Sequence, residues 1–138
     1  ERSIHRSILH PDRFQRKNNP LIFHLNGSIR GKLAITNDDH QWLLSRYQYY
    51  KEKTQGHIKG FILPGGDLPV PYLYLARSDA KKAIRVMVKI EQEDIVVPEI
   101  LPRFCHVLCN LLFAMAVTIN WERGYNEIEF NTKSYGKV

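Results

Sequence analysis

Between Phe104 and Trp121 the chain carries 18 consecutive residues without Asp, Glu, Lys or Arg. That is close to the shortest helix that can cross a bilayer. His106, Asn110, Thr118 and Asn120 lie inside the stretch, and each is costly in hydrocarbon. The expectation is therefore a buried helix of a folded domain, with no membrane span. Pro98 opens it in the favoured first-turn position, and Pro102 either fits the first turn or kinks it. Leu101, Phe104, Leu108, Leu111, Met115 and Thr118 form a seam of spacing three and four, while Leu112, Phe113, Ala116, Val117 and Ile119 make the other sides apolar. A helix that is apolar all round has to be buried all round. A small four-helix bundle hides one face, so the stretch Leu111 to Ile119 predicts a homo-oligomer.

The chain length of 138 residues suits one domain. Hydrophobic residues at 43% and charged residues at 25% argue against global disorder. Cys105 and Cys109 fall four apart on the same expected helix, where a disulfide would strain the backbone. Reduced thiols point to a reducing compartment, the cytoplasm or, in a eukaryote, the mitochondrial matrix. The N-terminal residues hold no apolar run of secretory length. A net charge of +6 invites a nucleic-acid reading. No zinc-finger spacing, Gly-X-X-Gly clamp or ribonucleoprotein signature accompanies it, so nucleic acid is disfavoured as a partner.

An all-α domain follows from the order of signals. Residues 1–19 read as a weakly ordered arm in which Pro11 interrupts any helix. Pro20 marks a helix start, with Asn18 and Asn19 as caps, and Leu21, Ile22, Leu25, Ile29 and Leu33 carry it to about Ala34. Thr36-Asn37-Asp38-Asp39 restarts the chain as a second helix, which holds Trp42, Leu43, Arg46, Tyr47 and Tyr50 and ends at Gln55-Gly56. Residues 56–71 gather four of the eight glycines and three of the seven prolines; a loop this long in a compact domain leans functional. A third helix starts near Pro71, with Leu73, Ala76, Ala80, Ala83, Ile84, Met87 and Ile90 on one face, and fades at Glu91-Gln92-Glu93-Asp94. The bundle is expected over 20–124, with 125–138 as a tail of no assigned element.

Arg77, Lys81, Arg85 and Lys89 repeat at strict i+4 spacing on the third helix, with Lys82 beside them. Like charges at that spacing repel. The ridge either binds a polyphosphate or is a solvated face answered by carboxylates of a neighbouring helix. Cys105, His106 and Cys109 do not make a metal site, because His106 points away from the other two and a structural zinc needs a fourth ligand. No Gly-X-Ser-X-Gly, Walker, His-Glu-X-X-His or dinucleotide motif is present.

Gly60-Phe61-Ile62-Leu63-Pro64-Gly65-Gly66, followed by the helix Leu73-Tyr74-Leu75-Ala76-Arg77-Ser78-Asp79-Ala80-Lys81-Lys82-Ala83-Ile84-Arg85, resembles the PduO-type ATP:cob(I)alamin adenosyltransferases. Those proteins carry Phe-Val-Leu-Pro-Gly-Gly and then Ala-Arg-Thr-x-x-Arg-Arg-Ala-Glu-Arg. Leu108-Cys109-Asn110-Leu111-Leu112-Phe113 is similar to their Leu-Ser-Asp-x-Leu-Phe, Pro98-Glu99-Ile100-Leu101 to the opening of their last helix, and Leu25-Asn26-Gly27-Ser28-Ile29-Arg30-Gly31 to their first-helix Leu-Asn-Ser-x-Ile-Gly. The likeness covers roughly residues 21–123. It implies a four- to five-helix antiparallel bundle assembled as a homotrimer. It also implies transfer of the adenosyl group of ATP to cob(I)alamin with release of triphosphate, using ATP, Mg and cobalamin. By the same resemblance, Phe61 is the catalytic candidate, pressing on the corrin face and displacing the lower ligand of cobalt. Arg77, Lys81, Lys82 and Arg85 would hold the triphosphate, and Cys105 would stand with Phe61 on the corrinoid side.

Departures from that pattern keep a second reading open. Ile84 stands where the family has Glu, Cys105 and His106 where it has Asn-Arg, Asn110 where it has Asp, and Phe23 where it has a first-helix carboxylate. Residues 1–19 hold no Thr-x-Thr-Gly-Asp nucleotide loop. The alternative is a non-catalytic relative that binds a corrinoid, nucleotide or protein partner as a trimer.

Overall fold

The computed structural model describes residues 11–58 and 60–134. Among the described residues four helices follow in order: α1 (Pro11–Arg30), α2 (Asn37–Thr54), α3 (Val70–Gln92) and α4 (Ile100–Glu122). Among the described residues there is no strand beyond a single antiparallel bridge between Ile62 and Glu129. The all-α bundle expected from the sequence is the fold observed.

The expected arm lies outside the described residues over 1–10. Over 11–19 the expectation is corrected: the chain is helical from Pro11 and passes straight through Pro20. Pro11 does not interrupt a helix but stands at its first position, where a missing N–H costs nothing. Pro20 then sits in the interior, where it cannot donate to the carbonyl one turn back. The helix ends at Arg30, before Ala34. The Ser28 hydroxyl donates to the His24 carbonyl at 2.6 Å and accepts from the Ala34 N–H at 2.9 Å, folding the chain back over the helix end.

The start of α2 follows the sequence closely. The Thr36 hydroxyl accepts from the Asp39 N–H at 3.2 Å, and the Asp39 carboxylate accepts from the Thr36 N–H at 2.9 Å. This reciprocal cap satisfies two donors that the first turn leaves open. Helix α3 begins with Pro71 in its first turn and ends at Glu93-Asp94, with Asp94 at φ 61°. Pro102 fits the first turn of α4 without breaking it.

The apolar helix α4 is the centre of the molecule, packed on both α2 and α3. Phe104, Leu101 and Leu111 from α4, Leu43 from α2 and Met87 from α3 are fully buried, and Leu21 and Leu25 bring α1 into the same core. Long and apolar enough to cross a membrane, α4 instead has 56% of its central window buried inside the bundle. Its Thr118 hydroxyl is satisfied by the Ala114 carbonyl at 2.7 Å. This burial narrows the reason given above for an oligomer. Leu111, Leu112, Ala114, Ala116 and Val117 are covered within one chain and Phe113, Met115 and Ile119 are half-buried, so the more exposed apolar surface lies elsewhere: Phe23, Leu33, Leu75, Val86 and Val88 on α1, its exit and α3.

Candidate functional site

The Gly- and Pro-rich loop leaves α2 through Gly56 (φ 85°) and crosses the C-terminal end of α4. The segment after α4 returns to meet it. The Leu63 N–H donates to the Ile128 carbonyl at 2.8 Å, and the Phe130 N–H donates to the Phe61 carbonyl at 2.8 Å. These two bonds flank the Ile62–Glu129 bridge and hold the loop backbone straight on either side of it. Phe61 nevertheless projects its ring outward, 71% exposed.

Both glycines of Pro64-Gly65-Gly66 sit in close approach to neighbouring side chains. A Cβ on Gly65 would stand 2.5 Å from the Tyr125 hydroxyl, and one on Gly66 would collide with the Asn120 carboxamide oxygen. Gly66 also has φ 127°, a conformation that side chains disfavour. From beneath, Asn120 Nδ2 donates to the Gly65 carbonyl at 2.8 Å and to Glu127 Oε1 at 3.1 Å. Arg123 Nη1 donates to the Leu68 carbonyl at 2.6 Å and fixes the loop's far end. On the α2 side, the His57 and Trp121 rings lie 4.7 Å apart and Lys53 pairs with Glu122 at 3.8 Å.

A chain of contacts leads from this loop to the basic ridge of α3. Glu127 lies beside Tyr74, whose hydroxyl is pushed up to about 12, first by burial and then by the Glu127 charge. The Tyr74 ring meets the Phe113 ring edge-on at 6.4 Å, and the Arg77 guanidinium sits 5.2 Å from the centre of that same ring. The Tyr74 hydroxyl, Arg77 Nε and Glu127 Oε2 are buried and make no hydrogen bond among the described residues. Burial holds the Glu127 carboxyl above its usual range, with the Asn120 bond opposing the rise. Beyond Arg77 the ridge is open: Lys81, Lys82, Arg85 and Lys89 are exposed. Among the described residues only Lys82 is answered, by Asp79 of its own helix at 3.8 Å. Among the described residues no carboxylate of a neighbouring helix pairs with the ridge.

The contacts that start at the Phe61 loop lead through Glu127, Tyr74 and Phe113 to Arg77 at the head of the ridge, and Cys105 is not among them. Cys105 is fully buried and lines a different cavity of about 390 Å3, between α1, α3 and α4, with Leu25, Ala80 and Leu108. Burial pushes its thiol up to about 12, so it offers shape and no charge. Among the described residues no group of three His, Cys, Asp or Glu stands together to hold a metal. Phe23 is 78% exposed.

Sequence reasoning missed Asn120 and Glu127. The signal for Asn120 was present: a carboxamide in an otherwise apolar buried helix has to find partners. Glu127 carried none, because its partner is set by how the tail folds back.

Residues 18–119 match a family described as cobalamin adenosyltransferase. The chain is also 27% identical over 101 residues to a protein of Bacillus subtilis (strain 168) named corrinoid adenosyltransferase, an overlap of 73% of this chain and 51% of that protein. The chain therefore spans about half the length of that relative. The family match takes in Phe61, the α3 ridge and Cys105, and stops one residue before Asn120.

Proposed function

The chain belongs to the cobalamin adenosyltransferase family, and we propose that it works as a PduO-type corrinoid adenosyltransferase, with ATP and a reduced corrinoid as substrates. The observation that carries this reading is the exposed Phe61 ring on a loop fastened on both sides and linked through Asn120, Glu127, Tyr74 and Phe113 to a basic ridge where, among the described residues, only Lys82 has a carboxylate partner. An exposed Phe of this kind has apolar area to cover, and the flat face of a corrin ring is a matching surface.

In the reaction, the cobalt(I) electron pair attacks the 5′ carbon of ATP. The cobalt–carbon bond forms as the carbon–oxygen bond breaks, and triphosphate leaves with the bonding pair. Phe61 on the opposite corrin face supplies no ligand atom and keeps water and other ligands from cobalt. That favours the low-coordinate, electron-rich metal that attacks. Arg77, Lys81, Lys82 and Arg85 hold the triphosphate, whose charge grows as it departs, and this is where fixed cations lower a barrier most. Lysines at 81 and 82 supply charge without the two-pronged geometry of arginine. A Mg ion arriving with the nucleotide would take its ligands mainly from phosphates and water, as this ion commonly does.

Calorimetry with ATP and with free triphosphate tests the anion half of this reading. The wild-type protein binds both, and Lys81→Ala weakens binding tenfold or more with the fold intact, since a charge-assisted contact contributes about 1.5–3 kcal/mol. Absence of binding, with or without Mg, would contradict it. Binding without adenosyl transfer would make the chain a non-catalytic relative.

A further inference from the structure

One buried side chain ties the loop of Phe61 to the rest of the molecule. Asn120 is 1% exposed in the last turn of α4, where packing alone would be served by an apolar residue. Its Nδ2 holds the Gly65 carbonyl at 2.8 Å and Glu127 Oε1 at 3.1 Å, and its Oδ1 lies against Gly66. Its backbone carbonyl accepts from the Tyr125 N–H at 2.9 Å, which starts the return of the tail. The same carboxamide therefore grips the loop four residues after Phe61 and the tail three residues before Phe130, the two residues that bond to each other. Because Gly65 and Gly66 bring the loop backbone into direct contact with Tyr125 and Asn120, the turn has little room to slide.

We propose that Asn120 is a positioning residue for Phe61: by clasping Gly65 and Glu127 it sets the height and tilt at which the Phe61 ring meets the corrinoid. This rests on the reaction proposed above. It adds a residue that the family match does not reach, and gives Gly66 a second role beside its backbone conformation, close approach to Asn120. Displacement of a reacting assembly by about 1 Å costs on the order of a hundredfold in rate, so a clasp of this kind acts on turnover more than on affinity.

Asn120→Asp keeps the shape and removes the donor, leaving three acceptors facing one another; Asn120→Ala removes the group without adding charge and serves if the Asp variant does not fold. Three readouts are needed. Amide hydrogen exchange without ligand should quicken at least tenfold at Leu63 and Phe130, while Leu111 in the core stays protected. Electron paramagnetic resonance of bound cob(II)alamin with ATP should show less of the form lacking a lower ligand. The rate of adenosylcorrinoid formation should fall about tenfold to a hundredfold, with KM for ATP unchanged. Unchanged exchange at Leu63 and Phe130, or an unchanged cobalt spectrum and rate, would overturn the proposal. So would a loss spread evenly over Leu111, ATP affinity and rate, which marks a purely structural residue. A wild-type protein that binds no corrinoid would instead sink the reaction itself, and exchange at Leu63 and Phe130 would still decide whether Asn120 fixes the loop.

Discussion

A carboxylate and two thiols show how the interior sets chemistry residue by residue. Burial raises Glu127 above the usual carboxylate range, so the folded chain holds its proton more tightly than the unfolded one. Stability from this group is then fully present below the ordinary carboxylate value and is lost as pH rises through its elevated folded value. Glu127→Gln keeps an acceptor for Asn120 and carries no charge to desolvate. Its melting temperature should exceed that of the wild type at pH 7.5, with the gap closing at pH 4; equal melting at both would mean the carboxyl is solvated. Cys105 is a cleaner case, with its thiol raised to about 12 by burial and by the neighbouring Cys109. A thiol reagent at pH 8 should label it orders of magnitude more slowly in the native protein than in urea, and prompt native labelling would contradict its place in the core.

At the scale of helices, legibility followed local signals. Thr36-Asn37-Asp38-Asp39 could be read as a helix start because a cap acts within four residues, and the structure closes both bonds of it. Thr36→Ala should cost about 1 kcal/mol and lower the melting temperature by roughly 2–4 °C; thermal unfolding followed by circular dichroism checks this. The same proline logic misplaced the start of α1. Pro20 looks like a first-turn residue, but it lies inside a helix that Pro11 opens. Core contacts of Leu21 and Leu25 support that helix against the loss of one ladder bond. The tail was illegible for another reason. Its bonds join Phe61 and Leu63 to Phe130 and Ile128, more than sixty residues away, through a single bridge with no strand alternation to announce it. The Phe61 loop and the α3 ridge were legible as motifs, yet the Tyr74–Phe113–Arg77 stack that joins them depends on how α3 packs against α4.

For the molecule as a whole, the bundle covers α4 and leaves Phe23, Leu75, Val86 and Val88 exposed. We propose that copies of the chain meet as a homotrimer over exposed apolar residues of this kind, Leu75 and Val86 standing about three turns apart on one face of α3. Light scattering should return about three times the 16.2 kDa chain mass; a clean monomer at micromolar concentration would count against it. The central proposal is that the clasped, outward-facing Phe61 makes this bundle an adenosyltransferase. Its most direct measurement is a single-turnover reaction of cob(I)alamin with ATP, followed by the spectrum of the adenosylated product, in the wild type and in Phe61→Ala. The account predicts product with the wild type and, with Phe61→Ala, a rate lowered much more than corrinoid affinity is, since the ring acts chiefly on the reactive state of cobalt. Equal rates for the two proteins, or corrinoid bound by the wild type with no adenosyl product, would contradict it.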